Sequence, residues 1–145
     1  MNHWLLKTEP EEYAYADLER QRRGVWDGVR NNWALQHLRG MRRGDLAFIY
    51  HTGKERRIVG IAEVVRAAYP DPQADDPKWV VVDLVAKCSL PTPVSLKTIK
   101  ADPHFAELLL VRSTRLSVMP VTAAHWKALC KLGGLSAKRA ATDGS

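Results

Sequence analysis

The sequence predicts an α+β fold in which about five or six mostly antiparallel strands form a small β-barrel decorated by short helices. Short apolar runs with strand character alternate with short runs of helical spacing. The helical runs do not follow the strands in the regular order of a parallel α/β sheet. The chain has 145 residues, which is the size of one domain.

The first part of the chain predicts three strands and two helices. Glu9-Pro10 ends the first strand because proline lacks an N–H and restricts the residue before it. Gly24 ends the first helix, and Asn31 or Asn32 caps the second. The predicted strands are residues 3–7, 25–27 and 46–51, and the predicted helices are residues 15–21 and 32–39.

The rest of the chain is predicted to contain three further strands, two helical turns and a final helix. Residues 70–77 form a loop because three prolines there prevent regular pairing. Thr122 caps the final helix, and Gly133-Gly134 ends it. The predicted strands are residues 58–67, 79–88 and 116–119, the helical turns are residues 95–100 and 103–109, and residues 134–145 form a flexible C-terminal tail.

Composition favours an intracellular protein, expected in the cytoplasm. No apolar run approaches the ~20 residues that span a bilayer, so no membrane partner is expected. The N-terminus carries no signal-peptide core. Cys88 and Cys130 form no CxxC pair, which excludes a disulfide scaffold and a zinc site recognisable from spacing. We expect neither a metal ion nor an organic cofactor.

The formal net charge is +6, and its distribution is uneven. Residues 20–57 contain ten Lys and Arg against three acidic residues, and residues 112–139 contain six with no acidic residue. Two basic segments that converge on one face suit a polyanion such as nucleic acid. The alternative is a solvated basic surface without a partner.

Signals for catalysis are weak. The sequence contains neither a GxSxG motif nor a phosphate-binding GxxxxGK[ST] loop. More informative are polar side chains at the predicted strand ends: Lys7-Thr8-Glu9, Trp26-Asp27 with Arg30-Asn31, and Tyr50-His51-Thr52. A pocket for a planar base needs an aromatic wall and a few hydrogen-bonding groups.

These residues have two interpretations. In the first, Trp26 stacks on a base while Thr8, Asp27, Asn31 or Thr52 reads its edge. In the second, Trp26 is a core aromatic, Asp27 and Asn31 are turn and cap residues, and Lys7 is a surface cation. Trp33 and His37, one helical turn apart, either flank a groove or pack together. Six arginines are candidate phosphate contacts or solvated side chains: Arg30, Arg39, Arg42, Arg43, Arg56 and Arg57.

At these motifs the sequence resembles the EVE domain family of the PUA-like superfamily. Six motifs in order carry the resemblance across residues 2–132. They are HWLLKTEP from His3, VWDGVRN from Val25, GD at Gly44 with FIYH from Phe48, VGIAEV from Val59, YPDP from Tyr69, and LVRSTRLSVMPV from Leu110.

The resemblance implies a PUA-like β-barrel domain over residues 1–133, with a pocket for a modified nucleobase like that of YTH and SRA-type readers. In such readers a base is flipped out of the stack, which costs a few kcal/mol. Trp26 becomes the stacking candidate. The implied polar pocket residues are Lys7, Thr8, Asp27, Asn31, Tyr50, His51 and Thr52, and the implied rim or phosphate contacts are Arg30, Arg112, Ser113 and Arg115.

Two departures from the family pattern bear on the implied pocket. Thr8 and Thr52 stand where family members often have Ser, so an extra methyl group narrows the site. The loop at residues 72–77 is shorter than in many relatives, which opens one side.

The leading functional hypothesis is a non-enzymatic module that reads a modified base in DNA or RNA. The first alternative is an enzyme of modified nucleotide or nucleic-acid metabolism with Asp27, Glu9 or His51 as acid–base groups. The second is a protein whose positive cleft merely collects small anions.

Overall fold

The computed structural model describes residues 1–135, which form one mixed six-stranded sheet with helices packed around it. A 3-10 turn, Pro103–Phe105, accompanies the helices. The strands are β1 His3–Thr8, β2 Arg23–Trp26, β3 Leu46–His51, β4 Arg57–Pro70, β5 Val80–Ser95 and β6 Val118–Val121. The helices are α1 Tyr15–Gln21, α2 Asn32–Gly40, α3 Leu96–Ala101, α4 Leu109–Arg112 and α5 Ala123–Leu132.

The strand order is β2-β5-β4-β3-β1-β6. β1 and β3 are parallel, with Leu5 opposite Phe48, and the other four pairings are antiparallel. A parallel pair needs a long crossover, which α1, β2 and α2 supply between β1 and β3. The predicted α+β class and the mostly antiparallel pairing are confirmed.

The predicted closure of the barrel is wrong, because the sheet is not closed. Within residues 1–135 the end strands β2 and β6 pair only with β5 and β1, respectively. Each end strand is only four residues long. A cleft lies at the seam between these end strands. It is lined on one side by the β1–β6 end of the sheet and on the other by β2.

The core packs the helices against the inner face of the sheet. Trp126 of α5 stacks on Phe48 of β3 with ring centroids 3.9 Å apart, and His3 stacks on the same indole at 4.4 Å. The Thr122 hydroxyl accepts a hydrogen bond from the His125 amide, which confirms the predicted cap. These contacts fix β1, the strand whose C-terminal end contributes to the cleft.

Asp45 is a buried carboxylate at the turn before β3. It accepts hydrogen bonds from the Asn2 and Arg42 amides and from the Trp4 indole, at 2.9 to 3.0 Å. Gly44, with φ +94°, provides the left-handed turn that brings Asp45 to these donors. This network fixes the start of β3 against β1.

Several boundaries differ from the sequence prediction. β2 begins at Arg23, two residues before its predicted start, so Gly24 lies inside this strand and does not end α1. β4 continues to Pro70, three residues past its predicted end. β5 continues to Ser95 because Pro91 and Pro93 lie in a bulge, where Ser89 and Val94 pair with Gly60 and Ile58 and no ladder bond is needed from either proline. β6 begins two residues later than predicted and holds Pro120 at the sheet edge. The predicted helical turn over residues 103–109 is replaced by the Pro103–Phe105 turn and α4.

At the C-terminus, Leu135 is 5% exposed and its amide bonds to the Cys130 carbonyl oxygen. The rest of the predicted tail, residues 136–145, lies outside the described residues. None of the helices within residues 1–135 is long and apolar enough to cross a membrane.

Candidate nucleobase cleft

A cleft of about 960 Å³ lies in the seam between the two ends of the sheet. One wall is the end of β1 and the turn after it, and the other is β2 and the segment after it. We refer to it as the seam cleft. Its lining includes Lys7, Thr8, Glu9, Glu12, Tyr13, Arg23, Trp26, Asp27, Gly28, Val29, Arg30 and Ser117.

Trp26 belongs to the buried core, as one of its two interpretations predicted, and the small exposed part of its indole forms the aromatic wall of the seam cleft. The alternation of β2 exposes Val25 by 50% and leaves Trp26 7% exposed. Trp26 is held by pairing with Val82 of β5 and by an edge-on contact with Tyr13, with centroids 5.9 Å apart and ring planes at 81°. The indole is therefore fixed before any ligand arrives.

Asp27 is an exposed carboxylate beside this wall. Within residues 1–135 it makes no hydrogen bond, so both oxygens are open to an incoming donor. Gly28 adopts φ +79°, a conformation that glycine adopts readily, and turns the chain away immediately after the carboxylate. Burial, followed by the charges of Asp17 and Asp27, raises the pKa of Tyr13.

Lys7 and Thr8 form part of the opposite wall. The Lys7 ammonium donates to the Thr114 carbonyl oxygen at 2.9 Å and lies 5.8 Å from the Tyr50 ring centroid. Burial lowers the pKa of Lys7. The Thr8 hydroxyl donates to the Tyr13 carbonyl oxygen at 2.6 Å. Its proton is therefore used within the fold and is not available to a ligand.

The end of β3 does not line the seam cleft. Tyr50 is 3% exposed and packed in the core. The buried His51 accepts the Tyr15 amide at Nε2, 3.0 Å away, and its Nδ1 lies 2.9 Å from a carboxylate oxygen of Glu55. These partners require Nε2 to be unprotonated and Nδ1 to carry the hydrogen. Both ring nitrogens are therefore engaged within the fold.

Thr52 acts on the cleft indirectly. Its hydroxyl lies 3.1 Å from a Glu9 carboxylate oxygen and 3.3 Å from the Thr8 carbonyl oxygen. The contact orients Glu9, which does line the cleft. The structure thus brings Trp26, Lys7, Thr8 and Asp27 together and leaves Tyr50, His51 and Thr52 behind the wall.

The rim residues implied by the resemblance divide between two places. Arg30 borders the seam cleft, with its guanidinium 4.8 Å above the Trp79 ring and 3.9 Å from Asp71. A second cavity of about 320 Å³, which we call the lateral hollow, contains the remaining residues of the set. It is lined by Asn31, Trp33, Arg112, Ser113, Thr114, Arg115 and Leu116.

Within this set, Asn31 and Arg112 already have partners in the fold. The Asn31 side chain caps α2 by accepting the Ala34 amide, as predicted. Arg112 pairs with Glu107. Trp33 and His37 lie with ring centroids 5.7 Å apart, while Trp33 stays 47% exposed.

Sequence reasoning missed several members of the seam cleft. Tyr13 and Glu12 come from the turn before α1, and Arg23 comes from the first position of β2. Arg23 pairs with Asp83, which also accepts the Tyr69 hydroxyl. An aromatic residue in a short strand–helix connection was the available signal for Tyr13.

The charges in the seam cleft are balanced rather than uniformly basic. Three cations, Lys7, Arg23 and Arg30, face three carboxylates, Glu9, Glu12 and Asp27. Elsewhere, Arg39 donates to the Lys78 carbonyl oxygen and Arg42 to the Arg39 carbonyl oxygen. Over the described part of the chain, no group of three or more His, Cys, Asp or Glu side chains converges as metal ligands would.

Residues 2–132 match the family model described as the EVE domain. The chain belongs to the EVE domain family. Among curated proteins it is 34% identical to mouse (Mus musculus) thymocyte nuclear protein 1 over 155 aligned positions, covering 83% of this chain and 69% of the relative.

Solved structures agree with this assignment. A Rhodopseudomonas palustris protein is 46% identical with a TM-score of 0.88, covering 92% of this chain and 94% of that protein. An Agrobacterium tumefaciens protein is 41% identical with a TM-score of 0.90, covering 93% and 94%. Human THYN1, solved in complex with DNA containing 5-methylcytosine, is 30% identical with a TM-score of 0.82, covering 94% and 99%.

Proposed function

We propose that this protein binds nucleic acid carrying a modified base and holds that base in the seam cleft. The observation that carries the proposal is the fixed Trp26 wall beside the open Asp27 carboxylate. The relative human THYN1, bound to DNA containing 5-methylcytosine, supports this class of ligand.

The contacts favour a base with an exocyclic amine. A base stacked on Trp26 presents its edge to Asp27, and a carboxylate accepts a hydrogen bond from an amino group such as N4 of cytosine. Val29, which is 6% exposed and lines the cleft, adds apolar surface for a methyl substituent. A 5-methylcytosine base combines these two features.

Because the charges of the cleft are balanced, we expect the cleft to contact the base and other parts of the surface to contact the phosphate backbone. Phosphate contacts supply affinity that falls with salt, whereas stacking and edge contacts depend on the base. Because its three carboxylates offset its three cations, the seam cleft has no net positive charge to attract phosphate. The preference for a modified base is therefore expected to survive at raised salt.

The direct test compares Asp27→Asn with the control Glu11→Gln. Both positions are exposed and each change removes one negative charge, but Glu11 does not line the cleft. Titration of the 5-methylcytosine oligonucleotide should show a weaker affinity only in Asp27→Asn, because N4, the donor to Asp27, is present in cytosine and 5-methylcytosine alike. Equal affinities of the two variants would contradict the role of Asp27.

The enzyme and anion-collecting hypotheses predict different results. Among the proposed acid–base groups, His51 is committed to Tyr15 and Glu55, while Asp27 and Glu9 lie in the cleft. Turnover of modified nucleosides would support an enzyme, and complete competition by sulfate without base preference would support anion collection. The cytoplasmic location stays a prediction.

A further inference from the structure

The seam cleft and the lateral hollow are neighbours on two separate chain segments. After β2, Arg30 lines the seam cleft while Asn31 and Trp33 line the lateral hollow. Before β6, Ser117 lines the seam cleft while Leu116 lines the lateral hollow. Consecutive Cα atoms are about 3.8 Å apart, so each segment passes from one cavity to the other within a single residue.

A hydrogen bond also joins the two cavities. Lys7 in the wall of the seam cleft donates to the carbonyl oxygen of Thr114, which lines the lateral hollow. In addition, the Lys7 amide donates to the Ser117 carbonyl oxygen at 2.9 Å. The partition between the cavities is therefore fixed, and their spacing is a rigid property of the fold.

The lateral hollow has the chemistry of a nucleotide site. Trp33 is 47% exposed, an unusual exposure for a large aromatic side chain, and has one ring contact with His37. The exposed Arg115 forms no ion pair within residues 1–135. None of the residues lining the hollow is acidic, in contrast to the seam cleft. An aromatic face beside an unpaired cation suits a base and its phosphate.

We propose that the lateral hollow binds the nucleotide next to the base held in the seam cleft, with Trp33 stacking on its base and Arg115 contacting its phosphate. This inference rests on the proposed function, since the first base sets the register of the strand. The adjacency of the cavities explains why one strand reaches both. The occupant is thus a flanking nucleotide of the same nucleic acid.

The test uses two probes of different length on the whole chain. The nucleoside 5-methyl-2′-deoxycytidine fills only the seam cleft, whereas a single-stranded hexanucleotide with one 5-methylcytosine reaches both cavities. Trp33→Ala should weaken hexanucleotide binding roughly 5- to 100-fold. Arg115→Ala should weaken it less and reduce the slope of log affinity against log salt by about 0.7. Neither variant should change nucleoside affinity.

The control variants are Lys127→Ala and Trp33→Phe. Lys127 is an exposed cation on α5 that lines neither cavity, so its loss reports only the change in net charge. Trp33→Phe keeps an aromatic face and should retain most of the hexanucleotide affinity. Because Trp33 and Arg115 are exposed, the variants are expected to remain folded.

The outcomes separate this inference from the proposed function. The protein could bind the nucleoside while Trp33→Ala and Arg115→Ala have the same hexanucleotide affinity as Lys127→Ala. That result would overturn the inference and leave the proposed function standing. Hexanucleotide binding that depends on Trp33 without any nucleoside binding would overturn the proposed function, and with it the placement of this nucleotide beside a base in the seam cleft. Failure of the wild-type protein to bind either probe would overturn both.

Discussion

The Lys7 ammonium group donates a hydrogen bond to the carbonyl oxygen of Thr114, with 2.9 Å between Nζ and O. The contact joins the end of β1 to the segment between α4 and β6, which is far away in the sequence. It therefore makes one partition out of two distant segments. Burial of the amine lowers the pKa of Lys7, in keeping with its place in the wall.

Replacing Lys7 with Met tests the role of this partition. The methionine keeps an apolar stem but removes the donor to Thr114, so we expect the free energy of unfolding to fall by about 1 kcal/mol. Hydrogen exchange should be faster at amides of residues 113–117, since their tether is lost. Chemical denaturation and exchange measured by NMR check both effects.

The matched control is Lys127→Met, which removes an exposed cation from α5. It should change the unfolding free energy by less than about 0.5 kcal/mol and leave exchange at residues 113–117 unaltered. Equal effects of the two substitutions would show that charge, and not the Thr114 contact, accounts for the result.

Replacing His51 with Phe distinguishes a structural histidine from a pocket or catalytic one. The Tyr15 amide would lose its acceptor inside the protein, which costs about 1–3 kcal/mol of unfolding free energy. Affinity for the modified base should stay within about twofold of wild type. A stable variant that has lost base binding or turnover would contradict this assignment.

His51→Phe should also make the unfolding free energy fall less steeply as the pH is lowered through the acid range. The hydrogen bond from His51 is the main cause that lowers the pKa of Glu55 from its ordinary value of 4.5. A carboxylate with a lowered folded pKa stabilises the fold above its unfolded pKa and loses that effect as pH falls through the folded pKa. Because Glu55 is partly exposed, Glu55→Gln should cost less than about 1 kcal/mol at neutral pH.

Adding a single methyl group at Gly60 should strongly destabilise the fold. A Cβ atom at this position would lie 2.5 to 2.7 Å from ring carbons of Tyr15, whose hydroxyl is tied to the Ile61 carbonyl oxygen. We expect Gly60→Ala to reduce the unfolding free energy by about 1–3 kcal/mol. The cost should shrink in a Tyr15→Leu background, and simple additivity in this double-mutant cycle would contradict the steric cause.

Local patterns predicted the positions of several elements well. Residues 15–21 and 46–51 were predicted with the bounds found for α1 and β3. Gly44-Asp45 and Thr52-Gly53 mark the two ends of β3, whereas α1 follows Ala14 without a side-chain cap and ends before Arg22. β5 was predicted too short, since Pro91 and Pro93 are strand breakers unless a bulge removes them from the ladder. That bulge is a property of the pairing with β4, which local sequence does not contain.

The cleft was harder to predict than the strands. Thr8 and His51 each stand at the end of a predicted strand, so the sequence marked both as site residues, and the structure makes them partners in the register of parallel β1 and β3. Only the packing of the turn after β1 shows that Thr8 lies at the cleft and that His51 faces Tyr15. Tyr13 was not predicted as a cleft residue, because its role depends on the ring contact with Trp26, which is distant in the sequence.

The most direct test of the central claim is the ratio of affinities for matched oligonucleotides with 5-methylcytosine and with cytosine, measured at two salt concentrations. We expect roughly tenfold tighter binding of the methylated strand, because one methyl group in an apolar site contributes about 1–3 kcal/mol. The ratio should be the same at both salt concentrations. Equal affinities that weaken together as salt rises would contradict base reading in the seam cleft and leave only a basic surface.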